Sequence, residues 1–247
     1  VCTVVISHDP AQDWPLLMAA NRDERLDRPW LPPGRHWSAH PGIVGGQDQV
    51  AGGSWLTLND AGVVAGIMNR VGSLGPMPGK NSRGALPLLA GQFDTARAAV
   101  DHIATIDAGA WRSFNMIVAD RVDAFFIRGP GYGQPQVEAL PPGVHMIATT
   151  DPDDMAMPRI HRHLPRFREA ARPVPPQWAA WTMLLADRSL PAGSEINIPP
   201  RSGFGTCSSS AIGVAGDNRH SWFFAAGAPD RVGYQPIDLN ASAAQAG

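Results

Sequence analysis

Apolar, β-branched runs separated by only a few turn residues leave no room for a crossover, so this chain must build antiparallel sheets. Cys2 to His8 (CTVVISH) ends at the turn signal Asp9-Pro10, and Trp14 to Ala20 (WPLLMAA) reads as its partner. Ser54–Leu58 and Val63–Met68 flank the turn Asn59-Asp60-Ala61-Gly62, and Phe114–Ala119 and Ala124–Ile127 flank Asp120–Asp123. Val144–Thr149 is a further short strand, and Gly205–Ala215, Ser221–Ala226 and Gly233–Asp238 close the chain. Helical patterns fall between. Ser82 and Asp94 stand as N-caps for helices over about 83–90 and 95–105. Two more helices fit 159–171, interrupted by Pro165, and 177–186. From Asn21 to Gly53 the chain is polar and rich in proline and glycine, which predicts a long structured loop. Strands, then helices, then strands give an α+β layered class. No repeat or linker divides the chain, so 1–239 reads as one domain and 240–247 as a small-residue tail with nothing to pack.

Composition removes several function classes. With 44% hydrophobic and 17% charged residues, the 247-residue chain is neither a disordered tail nor a coiled coil. A net charge of -2 gives no overall electrostatic case for nucleic acid or an anionic membrane. No apolar run approaches the roughly 18–20 residues that span a bilayer. Two cysteines, Cys2 and Cys207, cannot make a disulfide scaffold and suit a reducing compartment. A secretory leader pattern is absent, which makes a cytoplasmic location the expectation. Lys80 is the only lysine among 20 cationic residues. That bias suggests a GC-rich genome in which Val1 is a GTG start codon, decoded as Met and removed before Cys2.

The first hairpin brings chemistry together. With its turn near Ala11-Gln12, partner numbers sum to about 23, which sets Cys2 opposite Asn21. The run Asn21-Arg22-Asp23-Glu24 then lies at the start of the chain. An arginine favours a nearby thiolate, and a carboxylate can orient an amine. If Cys2 is the first residue, its α-amine, with a reference pKa of about 8, can act as general base. The plainer reading is a small buried Cys2 beside a surface Arg22–Asp23 ion pair.

These residues resemble the NRDE motif of the transport-and-Golgi-organisation type 2 proteins. The resemblance takes in Cys2-Thr3, Arg28-Pro29, Gly52-Gly53-Ser54-Trp55-Leu56, Asn69-Arg70, Ser82-Arg83-Gly84, Phe114-Asn115 and the Gly205-Thr206, Ser208-Ser209 block. That family is similar in turn to the cysteine N-terminal-nucleophile hydrolases, which implies a four-layer αββα sandwich of two antiparallel sheets. The resemblance implies Cys2 as nucleophile, Arg22 and Asp23 as its cation and carboxylate, and Asn69 as an oxyanion donor. Asn21, Glu24, Trp55, Arg70 and Arg83 follow as ligand contacts. The hydrolases carry a second asparagine where this chain has Thr149-Thr150, and an arginine near Cys207, which Arg201 could replace. The implied function is hydrolysis of an amide or thioester in an apolar or amphipathic small molecule. The alternative is a binding or trafficking protein for haem or an acyl-coenzyme A, and the blandest option makes the NRDE run structural.

Other features are open to two readings. His36 with His40, and His161 with His163, lack the partners of a zinc site, and no metal or required cofactor is expected. One of them, or Met68 or Met146, could ligate a transported haem; otherwise the histidines are solvated. Arg159, Arg162, Arg166, Arg168 and Arg172 could meet coenzyme A phosphates, or form a solvated helix face paired with acids such as Glu169. Gly129-Pro130-Gly131-Tyr132-Gly133 matches no phosphate loop and reads as a loop. Trp55 and Trp222 read as core, while Trp30 and Trp37 could line an apolar pocket.

Overall fold

The computed structural model describes residues 2–189, 191 and 193–241. The expectations about Val1 and about 242–247 lie outside the described residues. Two compact units emerge, residues up to 27 with 142–237, and residues 28–141 with the segment from 238.

The first unit holds a six-stranded antiparallel sheet in the order β10-β1-β2-β11-β12-β13. Its strands are β1 (Thr3–His8), β2 (Leu16–Arg25), β10 (Gly143–Ile147), β11 (Phe204–Val214), β12 (His220–Ala225) and β13 (Gln235–Pro236). Helices α3 (Pro158–Glu169) and α4 (Ala179–Leu185) pack on one face through Ile160, Leu164, Phe167, Trp181 and Leu185. They meet Val5, Leu17, Ala19 and Ala211 of the sheet, so the odd-numbered residues of β1 and β2 point at the helices. Trp181 stands edge-on to Phe167 at 5.5 Å.

The α3 arginines at 166 and 168 are partly solvated and paired with acids, as the plainer reading has it, though with Asp187 and Asp153 rather than Glu169, while Arg159 is buried. Arg166 pairs with Asp187, and Arg168 donates to Asp153 at 2.9 Å. Just past the helix, Arg172 donates to the Trp14 carbonyl at 2.6 Å. They clamp helix to sheet and loop. His163 is buried in this layer; its Nε2 lies 2.9 Å from the Ser194 carbonyl, and Arg166 donates to its Nδ1 at 3.1 Å. Those contacts fix the neutral tautomer with hydrogen on Nε2. Burial first, and then the Arg166 charge, push its pKa down to about 4.

Between about pH 6.5 and 4 the unfolded chain therefore binds more protons at this site than the folded one, and stability rises with pH there. Acidifying through that window should remove on the order of 2 kcal/mol, read by denaturant titration. His163→Gln keeps a donor and an acceptor and should flatten that limb; an unchanged slope in the variant would assign it elsewhere. The Asp153 carboxyl, desolvated but held below its usual range by His145, Met146 N–H and Arg168, titrates in a lower window.

The second unit is a seven-stranded antiparallel sheet, β3 to β9 in sequence order. The strands are β3 (Trp30–Gly34), β4 (Ile43–Asp48), β5 (Ser54–Asn59), β6 (Val64–Asn69), β7 (Phe114–Ala119), β8 (Ala124–Gly129) and β9 (Gln136–Ala139). Helices α1 (Ala85–Ala90) and α2 (Ala96–Ile103) bury Leu86, Ala90, Ala99, Val100 and Ile103 against Val63, Phe114, Met116, Val118 and Phe125.

Several expectations change here. The stretch 21–53 is not a loop: β2 runs on to Arg25, and β3 and β4 follow. Pro32 and Pro33 fit because β3 is an edge strand, where a missing donor is tolerated. The first hairpin pairs Thr3 with Asn21, so partner numbers are one higher than expected. Asp9 N–H donates to the Pro15 carbonyl, which centres the turn on Gln12. The cap of α2 is Thr95, whose hydroxyl accepts from Ala98 N, rather than Asp94. Helix α1 is capped by Gly84 with no side-chain bond, not by Ser82. Arg35 donates to the carbonyls of Leu239 and Ala241, so the start of the expected tail is held as far as Ala241.

Candidate active site

Strand β2 lies between β1 and β11, so the Asn21–Glu24 run has a neighbour on each side. Asn21 and Asp23 fall on the helix side, and Arg22 falls on the other. Asn21 is fully buried; its amide donates to the carbonyls of Leu185 and Ile196, each at 2.9 Å. Its Oδ1 lies 2.6 Å from the Ser209 hydroxyl, which also meets Tyr234 OH at 2.6 Å. This side chain ties the end of α4 to the sheet and is a brace.

Asp23 is buried with a cation. Its Oδ1 accepts from Thr206 Oγ1 at 2.6 Å, and its Oδ2 faces Arg159 NH1 at 3.3 Å. Arg159 also donates to Thr3 Oγ1 at 2.7 Å, so three strands and α3 meet at one carboxylate. Burial pushes the Asp23 pKa up, against the pull of Arg159 and the Thr206 hydrogen bond. Sequence reasoning missed Arg159 and Thr206 as partners of Asp23; the Gly205-Thr206 block was the one local hint.

On the other side, β11 carries a bulge. Thr206 pairs with Asp23 and Ser208 with Arg22, which leaves Cys207 as the extra residue. Arg22 NH1 donates to Cys207 Sγ at 3.2 Å, and the thiol returns a bond to the Arg22 carbonyl at 3.3 Å. Burial pushes the Cys207 pKa up to about 11. Cys2 lies one residue before β1 on the Arg22 side and keeps part of its surface exposed. Desolvation and then the Asp23 charge raise its thiol pKa, while the Asp23 backbone N–H and the Arg22 charge work in the opposite direction. Ser208 Oγ is buried on this same side with no hydrogen-bond partner among the described residues. Arg201 pairs with Glu195 at 2.8 Å. Thr150 Oγ1 meets Met157 Sδ at 3.6 Å.

The first unit thus brings Cys2, Arg22 and Asp23 together, with Asn21 beside them in a structural role. Glu24 accepts from its neighbour Arg25 N at 2.8 Å. The remaining candidates belong to the second unit. Asn69 closes β6 opposite Phe114. Arg70 donates to Asn115 Oδ1 at 2.6 Å, and Arg83 donates to Ser73 and Ser113 carbonyls at 2.8 and 3.1 Å. Both knit the loop after β6 to the start of β7. Trp55 is edge-on to Trp30 at 5.9 Å and lies over Gly46, and Trp37 Nε1 donates to the Gly52 carbonyl at 2.8 Å. Met68 and Met146 are buried in the cores. Among the described residues no three His, Cys, Asp or Glu side chains converge as a metal site, and no helix is long and apolar enough to cross a membrane.

Solved structures share this fold. A Caenorhabditis elegans N-acylethanolamine-hydrolyzing acid amidase ortholog superposes with a TM-score of 0.60 at 12% identity, covering 85% of this chain and 92% of that one. A mutant of the conjugated bile acid hydrolase from Clostridium perfringens gives 0.53 at 8% identity, covering 97% of each chain. A second variant of that hydrolase gives 0.52 at 9% identity, covering 100% of both. The fold is therefore that of these hydrolases, α+β with two antiparallel sheets; the residue pattern implies the α+β class, and the family resemblance implies the N-terminal-nucleophile hydrolase fold. No curated protein matches the sequence. The sequence model of the Transport and Golgi organisation 2 family, by contrast, matches residues 1–224, from the first strand into β12. A match of that extent rests on far more than the NRDE tetrapeptide, and the chain belongs to the Transport and Golgi organisation 2 family.

Proposed function

We propose that this protein is a cysteine-dependent hydrolase of amide or thioester bonds in an amphipathic small molecule. The observation that carries the reading is the position of Cys2: one residue before β1, partly exposed, with Arg22 and the Asp23 backbone N–H beside its thiol. The Cys2 sulfur attacks the acyl carbon and its proton passes to a base. The C–N or C–S bond breaks, and the leaving amine or thiol takes that proton. Water then cleaves the acyl-enzyme and restores the thiol. The raised thiol pKa makes the base essential. An α-amine on Cys2 would serve, which requires removal of everything before it. Arg22 steadies the thiolate.

The test is a panel of N-acylethanolamines, conjugated bile acids and acyl thioesters with wild type and Cys2→Ala. Turnover should fall at least about a thousandfold in the variant. Iodoacetamide should modify Cys2 well before Cys207, which is buried and bonded to Arg22. Intact mass of the denatured protein reads whether Cys2 carries a free amine. Equal labelling of both thiols, or turnover that survives Cys2→Ala, sinks the reading.

A second reading rests on Cys207. The hydrolases resembled have an arginine near that place, and here Arg22 spends a donor on the Cys207 thiol. A carrier of haem or acyl-coenzyme A would keep the fold and bind without turnover. Ligand binding unchanged in Cys2→Ala, with no hydrolysis across the panel, supports this alternative.

A further inference from the structure

The topology of the second sheet collects exposed apolar side chains at one end. Strand β4 arrives there and β5 leaves, with Gln47 opposite Ser54. Strand β6 arrives as β7 leaves, with Asn69 opposite Phe114, and β8 arrives beside β7, with Phe114 opposite Gly129. The connecting loops therefore lie side by side, across about 19 Å for four strand spacings. They carry Val50 (63% exposed), Val71 (72%), Leu74 (56%), Met77 (46%) and Tyr132 (74%). Each stands on a different turn, or on a separate step of the 70–83 loop.

The same loops are short of acid. No Asp or Glu occurs between Asp60 and Asp94, while Arg70, Lys80 and Arg83 do. Arg112 reaches under the 70–83 loop and donates to the carbonyls of Gly72 and Leu74 at 2.9 and 2.6 Å. Lys80 Nζ donates to the Gly109 carbonyl. Those partners are neutral carbonyls, and the one carboxylate between residues 104 and 113, Asp107, accepts from Gly109 N at 2.8 Å. The chain's net charge of -2 conceals this local excess.

We propose that this loop end of the second unit docks on the surface of an anionic lipid bilayer. Separate apolar tips above a cationic base suit insertion between headgroups, with Tyr132 at headgroup depth and the cations against phosphates. A protein partner would call for a contiguous apolar patch with a desolvated centre instead. The proposal is independent of any role for Cys2.

Flotation with phosphatidylcholine–phosphatidylserine vesicles and with pure phosphatidylcholine vesicles tests it on the full chain. The protein should float with the anionic vesicles at low salt and be released near 1 M salt, where the screening length falls to about 3 Å. The triple variant Val71→Ser, Leu74→Ser, Met77→Ser alters only exposed side chains, so its melting temperature should match wild type. Its partitioning should drop about tenfold or more. No flotation, equal flotation with both vesicles, or full flotation of the triple variant overturns the proposal. So does a wild-type dimer in size-exclusion chromatography that the triple variant converts to monomer, which would assign the patch to a second copy.

Discussion

Asp23→Ala is expected to cost about 3–5 kcal/mol of folding stability, because it leaves the Arg159 guanidinium buried without its carboxylate. The side chain of Asp23 is fully buried and that of Arg159 is 7% exposed, so water cannot take over the lost partner. Thr206 and Thr3, which share this cluster, lose their geometry as well. For a chain of this length the melting temperature should fall by roughly 10 °C. Asp23→Asn keeps an oxygen for Thr206 and Arg159 and should lose distinctly less. Arg159→Met combined with Asp23→Ala should cost less than the two singles added, since the double variant buries no lone charge. A thermal or denaturant melt of wild type, the three single variants and the double variant checks this. An Asp23→Ala variant within about 1 kcal/mol of wild type would mean that the pair is not the brace described.

Gly53→Ala should be nearly as damaging, for a steric reason. An added Cβ would lie 2.5 Å from the carbonyl carbon of Gly84 and 2.6 Å from its oxygen. Those are backbone atoms, and the same carbonyl accepts from Ser54 N at 2.9 Å, so relief breaks that bond. Overpacking against a fixed backbone costs typically 1–3 kcal/mol and more where it cannot yield; about 3 kcal/mol is expected here. The adjacent Gly52 has open space around its Cβ position but a φ of +73°. Gly52→Ala should cost only about 1 kcal/mol, and Gly52→Asn less, since asparagine tolerates that backbone. Equal losses at the two positions would remove the distinction. The contact also explains why the Gly52–Leu56 and Ser82–Gly84 blocks belong together: they meet backbone to backbone.

Tight hairpins were the most legible part of the fold. Phe114–Ala119 is observed at its expected bounds, and Asn59 closes its turn by accepting from Val63 N. Polar strands were not legible. The end of β2 offers no alternation of apolar residues, because its buried Asn21, Arg22 and Asp23 are satisfied by Ile196, Cys207 and Thr206, far away in sequence. Strand β9 is exposed throughout and shows no pattern. The candidate site was legible in its residue types and in the approach of Cys2 to the NRDE run. Its register and its buried cation were not, because one depends on turn geometry and the other on the packing of α3.

Successive residues of an extended strand face opposite ways, so the NRDE run is two interleaved pairs rather than one cluster. Its odd members hold helices, and Arg22 looks toward the thiols. Adding or deleting one residue in the first turn would exchange those assignments and carry the Arg22 guanidinium to the helix side, away from the thiols. The span between Cys2 and Asn21 can therefore lengthen or shorten only by even steps without costing the thiols their cation.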